Sequence, residues 1–341
     1  MKAALITAFG GPENLQVGEV PTPSPAAGEV QVKIGAAALN HLDLWVRRGL
    51  PGLHLELPHW TGADGAGVVS AVGAGVRGVK EGDAVVVNPV LSCGRCRDCL
   101  TGRDTICREF GVLGEHRRGC LAEYVVVPAQ NVIAAPKGVD LRTQAATPTT
   151  YMTAWQMLVE KARVQPGELV LVWAAGSGVG VAATQIAKLF GAQVIATAST
   201  DEKLARATEQ GADHIINSRA ADFLDRIKAI SRRGVDIVFE HTGADTWSKS
   251  ILAAARGARI VTCGATSGYD AKTDLRHVFF RQLQIFGSTM ARKGDLYTIL
   301  DHVAAGRLRP VIDKVFKLAE ARAAQERLEQ REQFGKIIIE P

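Results

Sequence analysis

Between residues 168 and 191 the chain reads ELVLVWAAGSGVGVAATQIAKLFG: an apolar run at 169–173, then small residues, then Val181, Ile186 and Leu189 at the spacing of a helix face. This predicts a strand, a tight turn and a helix. The alternation continues downstream, with strand-like runs at 193–197, 214–216, 235–239 and 259–263 and helix-like segments at 202–210, 221–231 and 246–255 between them. Strands alternating with helices predict an α/β fold with a parallel sheet. Residues 1–90 have another texture. Alternating or apolar runs at 2–7, 29–34, 65–72 and 83–87 are punctuated by Gly and Pro, as in PTPSPAAGEV, and predict a largely antiparallel β domain. The β texture returns at 119–128, and 148–158 reads as a helix leading into the glycine-rich unit.

With 341 residues the chain exceeds what one core usually serves, and its 47% hydrophobic content is enough for two. No uncharged apolar run reaches bilayer length, and the start MKAALITAFGG lacks the apolar stretch and cleavage site of a signal peptide. No membrane association and a cytoplasmic location are therefore expected. The net charge of +5 comes from Lys and Arg interspersed with Asp and Glu, so nucleic-acid binding is not required.

Chemistry enters first at the turn. Glycines at 176, 178 and 180 would let the backbone bend and let a pyrophosphate approach the N–H groups opening the helix, where the peptide dipoles favour an anion. Gly176, Ser177, Gly178, Val179 and Gly180 thus read as a dinucleotide cradle. The literal G-x-G-x-x-G spacing fails: from Gly176 the third place is Val181, and counting back from Gly180 the other two are Ala175 and Ser177. A glycine-rich turn without a nucleotide is the alternative.

Four of the six cysteines crowd into 93–107. Cys93, Cys96, Cys99 and Cys107 form C-x2-C-x2-C-x7-C, a set of thiolates able to wrap one Zn²⁺ tetrahedrally with no open position, hence a structural rather than catalytic site. Reduced thiols or an iron–sulfur cluster are the alternatives. Cys120 and Cys263 fall outside the pattern and read as small buried apolar residues.

Four further motifs stand together: N-x-x-D-x-x-x-R-x-G at Asn40, Asp43, Arg47 and Gly49; G-x-D-x-A-G at Gly62, Asp64, Ala66 and Gly67; A-E-Y at 122–124; and FGKI at 334–337. With the cysteine spacing and the glycine turn, they resemble the medium-chain dehydrogenase/reductase superfamily of zinc alcohol dehydrogenases and zinc-free quinone reductases, over essentially the whole chain. The resemblance implies a GroES-like catalytic domain at 1–150 and 290–341, carrying a structural-zinc lobe at about 91–110, interrupted by a Rossmann domain at 151–289.

It also implies where a catalytic zinc would sit: its three ligand places fall on Asn40, Ala63 and Thr149, poor ligands beside thiolate and imidazole. The family's hydroxyl relay place is Leu42. Asp43 and Asp64 are expected to hold hydrogen bonds, with a residual metal on Asp64, Asp43 and His41 as the alternative. Without that Lewis acid, reduction of an activated acceptor is the easier chemistry, and the expected activity is NAD(P)H-dependent reduction of a quinone or α,β-unsaturated carbonyl with a structural zinc and no catalytic one. The alternatives are an NAD(P)-dependent alcohol dehydrogenase or aldehyde reductase, and a non-catalytic NADPH-binding regulator.

Asn40 would offer an amide N–H to the substrate carbonyl or the nicotinamide carboxamide, or stabilise a turn. Tyr151 is a candidate proton donor or a packing residue. The resemblance places cofactor contacts at His41, Thr153, His241, Thr242, Gly264, Ala265, Thr266, Ser288 and Thr289, and has Lys336 neutralise a phosphate; for His41 a packing role is the alternative. NADPH is expected over NADH: Ala198 stands where NAD-specific domains carry an acid, Ser199 and Lys203 follow, and Arg219 is a second cation. NADH fits if Asp201 or Glu202 turns inward. Residues 281–289, RQLQIFGST, resemble the edge strand joining subunits, so a homodimer is expected, with a tetramer as the alternative.

Overall fold

The strand, turn and helix read at 168–191 are present in a computed structural model that describes residues 1–341: Leu169–Val172, the turn, and Gly178–Leu189. The chain divides into two compact units, Met1–Thr149 with Ala291–Pro341, and Thr150–Met290. Every residue of Leu169–Val172 is buried, as a central strand covered on both faces must be. The sheet order in the second unit is His214–Asn217, Gln193–Ala198, Leu169–Val172, Val235–Glu240, Ala254–Thr262 and Gln284–Gly287, all parallel. Counted along the chain this is 3-2-1-4-5-6, the doubly wound Rossmann order, with its switch point between Leu169–Val172 and Val235–Glu240. Leu171, Ile195, Val238 and Ile260 fill the core, and Trp173 stacks on Phe223 with ring centroids 4.9 Å apart.

Two boundaries differ from the sequence reading. The fifth strand starts at Ala254, where the helix Ala244–Ala253 ends, because Ala254 already pairs with Val235 across an irregular register. The helix Pro148–Trp155 continues as a wider π-helical stretch, Gln156–Lys161, and stops before Arg163, whose φ of 52° no helix accommodates.

The first unit is built on seven strands. Ile312–Lys317, Lys336–Glu340, Glu29–Ala38, Asp64–Val72, Ala84–Val87 and Val132–Ala134 follow in order, and Tyr124–Pro128 pairs with Glu29–Ala38. All pairings are antiparallel except Ile312–Lys317 with Lys336–Glu340, which are parallel because the helix Ala321–Glu329 carries the chain back between them. Gly67 shows why glycine stands in the middle of Asp64–Val72: a Cβ there would lie 2.0 Å from the Lys33 carbonyl oxygen. No helix is long and apolar enough to cross a membrane.

Helix His41–Arg48 closes this unit. Asp43 lies in its first turn and Arg47 and Arg48 in its last, matching the helix dipole. Arg47 has no exposed side-chain surface; its guanidinium donates to Gln325 Oε1 at 2.8 Å, to Glu329 Oε2 at 2.9 Å and to the Gly10 carbonyl at 3.3 Å. One buried cation thus holds the N-terminal segment, this helix and the returning C-terminal helix together. Arg47→Ala leaves three acceptors without their donor and is expected to cost about 3–5 kcal/mol of stability in urea unfolding. A loss below about 1 kcal/mol, the range of an exposed ion pair, would refute this account.

Candidate functional site

In the Rossmann unit the strand Leu169–Val172 ends into a turn whose backbone is bound by its neighbours. Trp173 N–H donates to the Phe239 carbonyl at 3.2 Å, Ala174 N–H to Thr197 Oγ1 at 3.3 Å and Ala175 N–H to the Thr197 carbonyl at 2.8 Å. The left-handed residue is Ala174, with φ 44°, so the expectation that Gly176, Gly178 and Gly180 supply the bend is corrected. Gly180 matters for its missing Cβ, which would stand 2.5 Å from the Ala174 carbonyl oxygen and 2.8 Å from Ala175 Cα. Helix and strand can therefore approach only at glycine. The Ser177 hydroxyl caps the helix by accepting from Gly180 N–H at 3.0 Å, which leaves the amides of Gly178 and Val179 at the open helix end for an anion.

Across the switch point His241 donates from Nε2 to the Trp173 carbonyl at 2.8 Å, which sets its tautomer, and burial lowers its pKa. The loop after the fifth strand is tied to it: Ser267 N–H donates to the Thr242 carbonyl at 2.7 Å, and the Thr266 hydroxyl lies 3.5 Å from the carbonyls of both His241 and Thr242. His241, Thr242, Gly264, Ala265 and Thr266 are thus brought to the carboxyl ends of adjacent strands. Thr153 Oγ1 meets only Met290 Sδ, at 4.0 Å. Ser288 Oγ is buried without a protein partner, as a residue awaiting a polar ligand would be. With the glycine-limited turn, this orphan hydroxyl makes the unit fit a dinucleotide.

After the second strand, Ala198 is buried, Ser199 and Lys203 are half-buried, and Asp201 and Glu202 are exposed in the first turn of a helix capped by Thr200. Arg219 is exposed. Tyr151 does not suit a proton donor: it is 1% exposed, its hydroxyl donates to Gln185 at 2.9 Å, and burial pushes its pKa up.

The sequence reading missed Glu240. It is wholly buried at the end of the fourth strand and faces no cation; its carboxylate accepts from Thr242 N–H, Gly243 N–H, Thr246 Oγ1 and Ser250 Oγ at 2.6–3.2 Å, at the N-terminus of Ala244–Ala253. An acid closing an apolar strand, followed by hydroxyls six and ten residues on, was the available signal.

In the other unit two of the three places assigned to a catalytic metal, Asn40 and Thr149, are joined by a buried carboxylate, while the third, Ala63, offers no ligand atom. Asp64, with no exposed surface, accepts from Thr149 N–H at 2.8 Å, Thr149 Oγ1 at 2.6 Å, Asn40 Nδ2 at 2.8 Å and Lys336 Nζ at 2.9 Å. Lys336, 3% exposed, also donates to Asn40 Oδ1 at 2.6 Å. Its expected role against a phosphate is corrected: its ammonium is committed to an internal ion pair. Asp43 accepts from Asn40 N–H at 2.7 Å and Gly62 N–H at 2.9 Å, and burial raises its pKa despite these bonds. His41 packs edge-on against Trp45 at 5.2 Å. Asp64, Asp43 and His41 do not converge on a common point; the one group of His, Cys, Asp or Glu side chains close enough to share an ion is the cysteine quartet.

In that quartet the sulfurs of Cys93, Cys96, Cys99 and Cys107 lie 3.5–3.8 Å apart along four of the six pairs. A tetrahedron with Zn–S bonds of about 2.3 Å has edges of about 3.8 Å, so the cage has zinc dimensions. Backbone N–H groups point at the sulfurs, from Cys96 to Cys93 at 3.3 Å and from Glu109 to Cys107 at 3.3 Å. Amide donors bring the Cys93 thiol to about 6. At Cys96 the Cys99 amide works the same way, but burial and the neighbouring sulfurs outweigh it and push the thiol to about 11. Four thiolates at this spacing need a dication to coexist.

Residues 26–137 match the family described as alcohol dehydrogenase GroES-like domain, and residues 178–305 the family described as zinc-binding dehydrogenase. A solved structure of an NAD-dependent alcohol dehydrogenase superposes with a TM-score of 0.97 at 50% identity, covering 100% of both chains. An NAD-dependent alcohol dehydrogenase of Sulfurisphaera tokodaii is 30% identical over 100% of both chains. A quinone oxidoreductase of Sus scrofa is 30% identical over 99% of this chain and 97% of its own.

The cage predicts about one tightly held zinc per chain by elemental analysis. Cys96→Ser is expected to abolish that stoichiometry and lower the unfolding midpoint while leaving dinucleotide affinity within about twofold, because no quartet residue belongs to the Rossmann unit. Two tightly held zinc ions, or a selective loss of dinucleotide binding in the variant, would refute it.

Proposed function

The chain belongs to the medium-chain dehydrogenase/reductase superfamily and is an NAD(P)-dependent oxidoreductase, and from that premise we propose that it reduces a quinone or α,β-unsaturated carbonyl with NADPH, using no catalytic zinc. One observation carries the reading. Of the three metal-ligand places Ala63 carries no ligand atom, the side chains of Asn40 and Thr149 are both bonded to Asp64, and an ammonium, Lys336, is the cation beside the Asn40 and Asp64 oxygens. Zinc there would have to compete for oxygen donors with an ion already satisfying them, without thiolate or imidazole. Bound nicotinamide supplies the hydride. Asn40 keeps one amide N–H beyond the bond to Asp64, and this group receives the acceptor's oxygen; a conjugated acceptor spreads the arriving charge, so a neutral donor suffices.

Alcohol–aldehyde interconversion is the second reading, favoured by the likeness to alcohol dehydrogenases. NADPH rather than NADH is supported by Ala198 in the acid's place with Ser199 and Lys203 beside it, although two relatives are named as NAD-dependent. A structural zinc in the cysteine quartet completes the cofactor set.

The assay is NAD(P)H oxidation with quinones, enals and aldehydes. Turnover is expected with the conjugated acceptors, undiminished after mild chelation, reduced about tenfold or more in kcat by Asn40→Ala, and with a kcat/KM preference for NADPH that Lys203→Ala lowers. Activity confined to alcohols and aldehydes and lost on chelation would establish the second reading. Cofactor binding without turnover on any acceptor would mark a regulator.

We further propose that the protein is a homodimer. Gln284–Gly287 is the last strand of its sheet, with Ile285 40% exposed, and the preceding helix Leu275–Arg281 exposes Leu275, Phe279 and Phe280 at 60–69%. An apolar edge of this kind is matched by a second copy of itself. Light scattering at micromolar concentration should give a mass near twice that of the chain, and Ile285→Asp should reduce it; a monomeric wild type refutes the proposal.

A further inference from the structure

Asn40 and Thr149 meet the same carboxylate, and that carboxylate decides what each can offer a ligand. Asp64 is ion-paired to Lys336 and buried, so it acts as an acceptor only. The Thr149 hydroxyl proton is committed to Asp64 Oδ1 at 2.6 Å. On its half-buried outer side Thr149 therefore presents oxygen lone pairs and no proton. Asn40 has the opposite polarity. Its Oδ1 is taken by the Lys336 ammonium at 2.6 Å and one Nδ2–H by Asp64 Oδ2 at 2.8 Å, so the amide cannot flip and what remains is an N–H donor. The two residues form one fixed donor and one fixed acceptor on a common carboxylate.

A carbonyl oxygen satisfies only half of that pair: it accepts from Asn40, but it has nothing to give Thr149, and two sets of lone pairs then face each other. A hydroxyl satisfies both, accepting from Asn40 and donating to Thr149. We propose that Asn40 and Thr149 are a hydroxyl-reading pair, locked in polarity by the buried Lys336–Asp64 ion pair, and that the protein therefore acts where the redox oxygen ends as a hydroxyl, with the hydride from NADPH and the proton from solvent: on quinones that become hydroquinones, or on aldehydes that become alcohols. Enones, whose oxygen returns to a carbonyl once the C=C bond is reduced, fit the pair less well. The inference rests on the proposed function and narrows its acceptor class. Thr149 is a specificity-determining residue that touches the ligand; Lys336 and Asp64 are positioning residues acting through it and through Asn40.

The test compares ligands that differ only in the proton. Dissociation constants of 1,4-hydroquinone against 4-methoxyphenol and 1,4-dimethoxybenzene, and of benzyl alcohol against benzyl methyl ether, are measured with NADP⁺ bound in wild type, Thr149→Val and Thr149→Ser. Wild type is expected to prefer the free hydroxyl over the fully methylated ether by about tenfold, the worth of one hydrogen bond with a buried acceptor left unpaired. Thr149→Val should erase the preference by weakening hydroxyl binding alone, and Thr149→Ser should keep it. Thr149→Val also removes one of the four donors to buried Asp64 and is expected to lower the urea midpoint, so the readout is the hydroxyl-to-ether ratio within each variant, in which a general loss of stability cancels, with NADP⁺ affinity in the absence of a second ligand as the check that the variant is folded. Equal affinity for hydroxyl and ether in wild type, no measurable hydroxyl binding, or a preference that survives in Thr149→Val overturns the proposal. Failure of the functional reading looks different: the hydroxyl preference is present, yet no quinone or carbonyl acceptor oxidises NADPH.

Discussion

A carboxylate removed from water must be neutralised, and much of the first unit is arranged around how Asp64 meets that demand. Its four donors come from three distant stretches of chain: Asn40 at the start of a helix, Thr149 at the end of the unit's first long segment, and Lys336 in the returning C-terminal strand. Burying Asp64 or Lys336 alone would cost several kcal/mol, whereas the pair with its surrounding hydrogen bonds compensates most of that cost. The ion pair thus couples correct placement of the C-terminal strand to formation of the site. It also fixes an immobile cation between the Asp64 carboxylate and the Asn40 amide oxygen.

The Rossmann unit handles a buried acid differently. Glu240 has no cation and relies on two backbone N–H groups and two hydroxyls at the start of a helix, where the dipole favours negative charge. That arrangement fixes the loop carrying His241 and Thr242, and His241 in turn holds the Trp173 carbonyl one residue before the left-handed Ala174. The turn after Leu169–Val172 is positioned by a chain of contacts reaching through the sheet, and glycine is indispensable in it chiefly where helix and strand touch, at Gly180.

The cysteine lobe needs neither arrangement. Its four ligands lie within fifteen residues of sequence, and the cage is made by short turns whose amides face the sulfurs. Local chain geometry is enough to bring four such thiols into one cluster, so their closeness in space follows from their spacing in sequence.

What the sequence determined by itself is what depends on neighbours along the chain: the alternation of strands and helices, the strand-turn-helix at 168–191, the quartet from Cys93 to Cys107, and the family's motifs. Tertiary structure decided everything that depends on which distant groups meet. Lys336 was expected against a phosphate from the resemblance of its FGK motif; only the pairing of Lys336–Glu340 beside Glu29–Ala38 brings its ammonium to Asp64 and Asn40. Tyr151 read as a proton donor from its closeness to Thr149 along the chain, yet helical geometry turns its hydroxyl inward to Gln185. The glycines of the turn read as its bend, while the left-handed residue is Ala174, held by Thr197 from the next strand. The polarity of Asn40 and Thr149 was illegible for the same reason. An amide and a hydroxyl can each donate or accept, and only the partner that burial imposes on them selects which.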